Sequence, residues 1–299
     1  MTSAFVIGRR RKGRHIGPVV REVRSQLREA GWKVDAKTVV GKAQLQRSAE
    51  KAVKEGYDIV VAVGGDGAVG RVASGLAETR TSLGIVPTGT GNLLAGNLKI
   101  PHGTLKAVQT ILTGRKRRID LGRVTIDGED HDFTVACGIG FDADVIEATG
   151  TGQKLRWGKL AYLANVLGQT GSISNVSHVI TLDGTVTELD AAQVFIANFG
   201  KMLPMVEPRR PIKADDGLLD VIVVRASGPL PGLLASWEAM WQTDLGESSG
   251  GHVFRAQARE VTIETTPNRL VEADGSALGK TPITVSVRPR ALRVIVPRK

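Results

Sequence analysis

Two stretches decide the fold: Asp58-Ile59-Val60-Val61-Ala62-Val63-Gly64-Gly65-Asp66-Gly67, and Leu83-Gly84-Ile85-Val86-Pro87-Thr88-Gly89-Thr90-Gly91-Asn92. Each begins with a short, continuous apolar segment, the pattern of a parallel strand buried on both faces. Each ends in a glycine loop, so neighbouring strands would open both loops at one sheet edge, where α/β proteins bind nucleotides. Glycine lets backbone N–H groups approach phosphate oxygens and accepts positive φ, so consecutive amides can cradle an anion. Asp66 cannot hold phosphate by charge and reads as reaching it through Mg2+. One such loop is an ordinary turn; two in register favour a phosphate site. The chain carries no Gly-x-x-x-x-Gly-Lys-[Ser/Thr] and no Gly-x-Gly-x-x-Gly with a spaced acidic residue after the first strand, which argues against Walker and ordinary dinucleotide sites.

On either side the pattern is regular. Val19, Val20, Val23, Leu27 and Ala30 recur at helical spacing between Pro18 and Gly31, and Leu45, Ala49, Ala52 and Val53 repeat the spacing before Gly56. Strands near residues 3–7, 32–36, 58–63 and 83–87 therefore alternate with helices, as right-handed crossovers require. Beyond Arg118 the segments become β-branched and alternating, as in Val179-Ile180-Thr181-Leu182 and Val221-Ile222-Val223-Val224. Asp127-Gly128, Asp183-Gly184 and Asp216-Gly217 punctuate them. The expectation is a doubly wound α/β domain over residues 1–122 and a mostly antiparallel β-sandwich over 123–299, the last strand (about 289–299) packing back toward the first domain. Helical insertions are expected at residues 155–167 and 230–243, the second with Trp237 and Trp241 at i and i+4, a spacing that suits a core anchor or an interfacial helix.

In order along the chain, Gly64-Gly65-Asp66-Gly67, Pro87-Thr88-Gly89-Thr90-Gly91-Asn92, Asp120-Leu121-Gly122-Arg123, Gly138-Ile139-Gly140-Phe141-Asp142, Asp215-Asp216-Gly217-Leu218, Asp274-Gly275 and Ala291-Leu292-Arg293-Val294 resemble the diacylglycerol kinase catalytic family. These bacterial lipid kinases are related in fold to sphingosine kinases and NAD kinases. The resemblance implies an NAD-kinase-like first domain, an active site in the interdomain cleft, and an ATP-dependent, Mg2+-requiring lipid kinase acting on diacylglycerol or a related long-chain alcohol. It implies Gly64, Gly65, Asp66, Gly67, Thr88, Gly89, Thr90, Gly91 and Asn92 around the nucleotide, with Asp66 organising its Mg2+. The family's Asp-Gly-Glu appears here as Asp274-Gly275-Ser276, so Asp274 is the expected base. Asp216, with carbonyls of Lys213 and Leu218, would form a second, structural Mg2+ site, a hard-oxygen set. An Asp-Gly turn is the plainer reading of both segments.

The chain also departs from the family. The first strand runs into Gly8-Arg9-Arg10-Arg11-Lys12-Gly13 where an Asn-Pro-x-Ser-Gly-like loop is usual, and Ala68, Gly70, Arg71, Leu93 and Ser276 replace a threonine, an asparagine, a glutamate, an acidic residue and a glutamate. A soluble small-molecule kinase and a non-catalytic nucleotide- or lipid-binding regulator stay open as alternatives.

At 299 residues, 41% apolar and 23% charged, the chain has the composition of a globular protein with room for two cores. Cys137 is the single cysteine, in an apolar stretch, which excludes a disulfide framework and fits a reducing cytoplasm. No signal-peptide core or long apolar run occurs, so membrane contact is expected to be peripheral, on the inner face. Residues 1–122 hold 22 lysines and arginines against 9 acids, a net +13, and the remainder is −3. Arg9–Lys12 and Arg115–Arg118 dominate, fitting nucleotide phosphates or an anionic membrane surface. With 4% aromatics and no recognisable nucleic-acid motif, nucleic acid is not an expected partner. A homodimer stays open.

Overall fold

The computed structural model describes residues 1–10, 16–140, 175–200, 212–225, 248–249 and 253–298. The expected helices at 155–167 and 230–243, and the basic residues 11–14, lie outside them. The chain forms two compact units, residues 1–121 with 289–299 and residues 122–288.

In the first unit four parallel strands, β1 (Ser3–Arg9), β2 (Lys33–Val39), β3 (Ile59–Gly64) and β4 (Ser82–Pro87), lie in the order β2-β1-β3-β4. Every residue of β3 and β4 is buried, as their unbroken apolar runs require. Helices α1 (Ile16–Glu29) and α5 (Thr104–Thr113) cover one face. Val20, Val23 and Leu27 of α1 and Ala107, Val108 and Ile111 of α5 pack there with Val6, Val61 and Val86. Helices α2 (Lys42–Lys54) and α3 (Asp66–Leu76) pack on each other and against β1 and β3, completing the doubly wound arrangement. The short helix α4 (Leu93–Asn97) follows β4 after the loop of residues 88–92. Val294 pairs in parallel with Leu83, so residues from the far end of the sequence extend this sheet beside β4.

The second unit is a sandwich. One sheet orders β12 (Ser248–Ser249), β13 (Val253–Ala258), β11 (Leu219–Val224), β10 (Gln193–Ala197), β7 (Ala136–Ile139), β15 (Leu270–Ala273) and β16 (Ser276–Lys280). The other contains β6 (Glu129–Phe133), β8 (Val176–Leu182), β9 (Thr185–Ala191) and β14 (Glu260–Thr266), with parts of β5 (Arg115–Ile126) and β17 (Ile283–Val296). Antiparallel pairs join β6 to β5, β8 to β9 and β14, β14 to β17, and the strands β7, β10, β11, β12, β13, β15 and β16 to one another. Side chains of both sheets meet in one core that includes Phe133, Ile139, Ile180, Val194, Ile196, Val221, Ile263 and Val285. Cys137 sits in it fully buried, and burial pushes its thiol pKa up, with the charges of Glu272 and Asp274 adding to the rise.

Candidate active site

The two glycine loops meet at the carboxyl edge of the parallel sheet. The Thr88 N–H donates to the Gly64 carbonyl at 2.9 Å. A Cβ placed on Gly65 would lie 2.9 Å from the Gly89 Cα, and one on Gly89 would lie 2.7 Å from Asn92 Oδ1. The backbones are therefore in contact, and any side chain at either glycine would push them apart. Asn92 is buried in the left-handed conformation at φ 48°, capping α4. It locks its loop by exchanging two hydrogen bonds with Gly89, each 2.8 Å: Gly89 N–H to Oδ1, and Nδ2 to the Gly89 carbonyl.

Asp66 is half-buried in the first turn of α3 and ties the loops together, its Oδ1 accepting the Leu93 N–H at 2.5 Å. Its other oxygen faces bare backbone, because a Cβ on Gly91 would lie 2.7 Å from Oδ2. Glycine at 91 thus keeps one carboxylate oxygen uncovered. Thr90 and Gly67 are exposed beside it. The α3 N-terminus, its N-cap supplied by Gly65 without a side-chain bond, adds unsatisfied N–H groups and the positive end of the helix dipole. The first unit therefore brings all nine residues of the two loops into one cluster suited to an anion.

Asp274, in the second unit, sits at φ 45° after β15. Its Oδ2 accepts the Thr134 N–H and Oγ1–H, both at 2.7 Å, and its Oδ1 accepts Val135 N–H at 2.9 Å and Ala136 N–H at 3.3 Å. A carboxylate has about four lone-pair positions, and all are used. Burial pushes its pKa up, and these four donors pull it back. Asn198, fully buried, supports the arrangement by donating to the Thr134 carbonyl at 2.9 Å. Thr134 and Asn198 were not foreseen. Thr134 contributes through its backbone as much as its hydroxyl, which residue type does not announce.

Asp216 lies in an exposed turn, where its Oδ1 accepts the Leu218 N–H at 3.2 Å and Gly217 takes φ 75°. Lys213 is exposed one turn earlier. Among the described residues no group of three or more histidine, cysteine or acidic side chains could hold a metal. Mg2+ would therefore depend on one carboxylate with phosphate, carbonyl or water oxygens, a donor set that suits it and that Asp66 Oδ2 fits.

A doubly wound unit whose two glycine loops meet at its sheet edge, with an antiparallel sandwich as the second unit, is the two-domain architecture that the sequence resemblance implies. Residues 4–124 match the diacylglycerol kinase catalytic domain, and residues 133–296 match the YegS C-terminal NAD kinase beta sandwich-like domain. The chain belongs to the diacylglycerol kinase catalytic family and is a kinase. It is 28% identical over 283 residues to a diacylglycerol kinase of Staphylococcus aureus, covering 91% of this chain and 85% of that one. An uncharacterized protein of Synechocystis sp. is 28% identical over 256 residues; the match covers 85% of this chain and 58% of that relative's length. A crystal structure described as a diacylglycerol kinase, from Bacillus anthracis str. Sterne, shares the fold at 22% identity and a TM-score of 0.74, covering 99% of this chain and 96% of that one.

Proposed function

We propose that the protein is an ATP-dependent lipid kinase that transfers the γ-phosphate to a hydroxyl of diacylglycerol or a related long-chain alcohol at an anionic membrane surface. The observation that carries this reading is the contact between the two glycine loops beneath the half-covered carboxylate of Asp66. Backbone amides of residues 64–67 and 88–92 would hold the triphosphate, and Asp66 Oδ2 would hold a Mg2+ whose chemistry is to neutralise phosphate charge. The lipid hydroxyl oxygen forms a bond to the γ-phosphorus as the bond to the β–γ bridging oxygen breaks, releasing ADP. Asp274 would take the hydroxyl proton, and a carboxyl lifted by burial is better matched to that task than an ordinary one. To do so it must give up one hydrogen bond, the Ala136 N–H being its longest at 3.3 Å. Asp216 and carbonyls of Lys213 and Leu218 would hold a second, structural Mg2+.

The test is transfer of labelled γ-phosphate from Mg-ATP into total lipid extract presented as anionic vesicles, for wild type, Asp66→Asn and Asp274→Asn. Wild type is expected to label a lipid, and Asp274→Asn to lose about 10²–10⁴-fold in rate while keeping nucleotide binding. Label in a water-soluble product, or none in lipid despite ATP binding, would overturn the lipid-kinase reading.

A further inference from the structure

Helices α2 and α3 touch with no room to spare at Gly75, where a Cβ would lie 2.7 Å from the Gln46 carbonyl oxygen and 2.9 Å from the Ala49 Cβ. Beside this contact, toward the start of both helices, lies an open cavity of about 470 Å³ lined by Lys42, Ala43, Gln46, Arg47, Glu50 and Arg71. Three of the six are cations, and one is an anion whose Oε1 already accepts a hydrogen bond from Gln46 at 3.0 Å. Arg71 is half-buried, and among the described residues neither its guanidinium nor that of Arg47 has a hydrogen-bond or ion-pair partner. More positive potential arrives from the backbone. Lys42 occupies the first position of α2, whose first turn holds no acidic residue, so it sits against the positive end of the helix dipole. The Arg10 N–H bonds the Val39 carbonyl at 2.8 Å, bringing the basic end of β1 beside the β2 end that leads into α2.

We propose that this cavity is a second anion site, taking a phosphate monoester. Arg47 and Arg71 carry two positive charges without a partner among the described residues, and a monoester carries about −1.5 to −2 at pH 7. Two planar guanidinium forks match its oxygens better than a diester's single charge. The same group occurs on small soluble esters and on phosphatidate in a bilayer, and both present the chemistry the cavity recognises. The site goes beyond the kinase reading, because Arg71 lies on α3 a turn past Gly67 and none of the lining residues belongs to the glycine loops.

The full chain would be titrated calorimetrically with glycerol 3-phosphate, with phosphatidylcholine vesicles containing phosphatidate, and with the same vesicles containing phosphatidylglycerol, a diester. Binding of the soluble ester or the phosphatidate vesicles is expected, and which one binds tighter identifies the source. Arg47→Glu/Arg71→Glu should weaken it by roughly tenfold or more, Arg47→Lys/Arg71→Lys by less, and Lys106→Glu on α5 not at all. Asp66→Asn should leave it intact, so loss of kinase activity and loss of this site read out separately. Equal affinity in wild type and the double glutamate variant, equal binding of phosphatidylglycerol and phosphatidate vesicles, or no binding of any probe would overturn the proposal. Unchanged melting of the lysine variant guards against misfolding as the cause.

Discussion

His178 shows how a single buried residue sets a condition on the whole. It is fully buried on β8, its Nδ1–H donates to the Val176 carbonyl at 2.8 Å, and its Nε2 has no partner among the described residues. Burial pushes its pKa below the ordinary value, Arg269 pushes it further, and the Val176 bond and Asp190 oppose them. As pH falls below about 6.5 the unfolded chain takes up a proton that the folded one refuses, so stability is full above that value and is lost on the acid side. Thermal denaturation between about pH 7.5 and 5.5 should show a falling midpoint in wild type and a flatter profile in His178→Gln. The residues at the glycine loops were legible in the sequence because their chemistry is that of missing side chains. Those around Asp274 were only half so: the carboxylate stands out, but three of its four partners are N–H groups, which any residue could supply.

At the level of elements, β3 and β4 were plain because continuous apolar runs mean strands covered on both faces. Observed β3, Ile59–Gly64, is shifted by one residue from the pattern, and β4, Ser82–Pro87, starts one residue earlier and ends where expected. Helices α4 and α5 were not foreseen. The first is only five residues long, too short for periodicity to mark it, and its N-cap Asn92 is left-handed with its side chain bonded to Gly89 rather than to the helix. Close packing is equally invisible in a linear sequence. Gly122 on β5 faces the ring of Phe133 at less than van der Waals separation for any added Cβ, and Phe133 is itself buried in the sandwich core. Gly122→Ala should destabilise by about 1–3 kcal/mol, seen as a lower midpoint in denaturant, and Phe133→Leu in the same chain should recover part of it. Additive losses in the double variant would mean the ring is not what excludes the methyl.

Over the whole molecule, charge follows the structural division more sharply than the sequence halves. The first unit, with residues 289–299 included, carries 26 lysines and arginines against 9 acids, a net +17; the second carries 14 against 21, a net −7. On the proposed reading the first unit is the one that would meet an anionic surface; there Arg118 donates to the Arg290 carbonyl at 3.2 Å and Arg293 to the Arg80 carbonyl at 3.3 Å, neutral acceptors that leave the guanidinium charge in place. Sedimentation with anionic vesicles should be strong at low salt and fall steeply as ionic strength passes about 0.1 M, where screening lengths shrink to ~10 Å. Retention unaffected by salt would point to insertion of apolar groups instead. The parallel pairing of Val294 with Leu83 carries a further consequence, for biosynthesis. A ribosome delivers residues 1–121 long before 289–299, so the nucleotide-type unit emerges with one side of its sheet open beside β4. It can close only after the sandwich segment has been made, and in the interval β4 is an exposed edge for which a chaperone or a neighbouring nascent chain can compete.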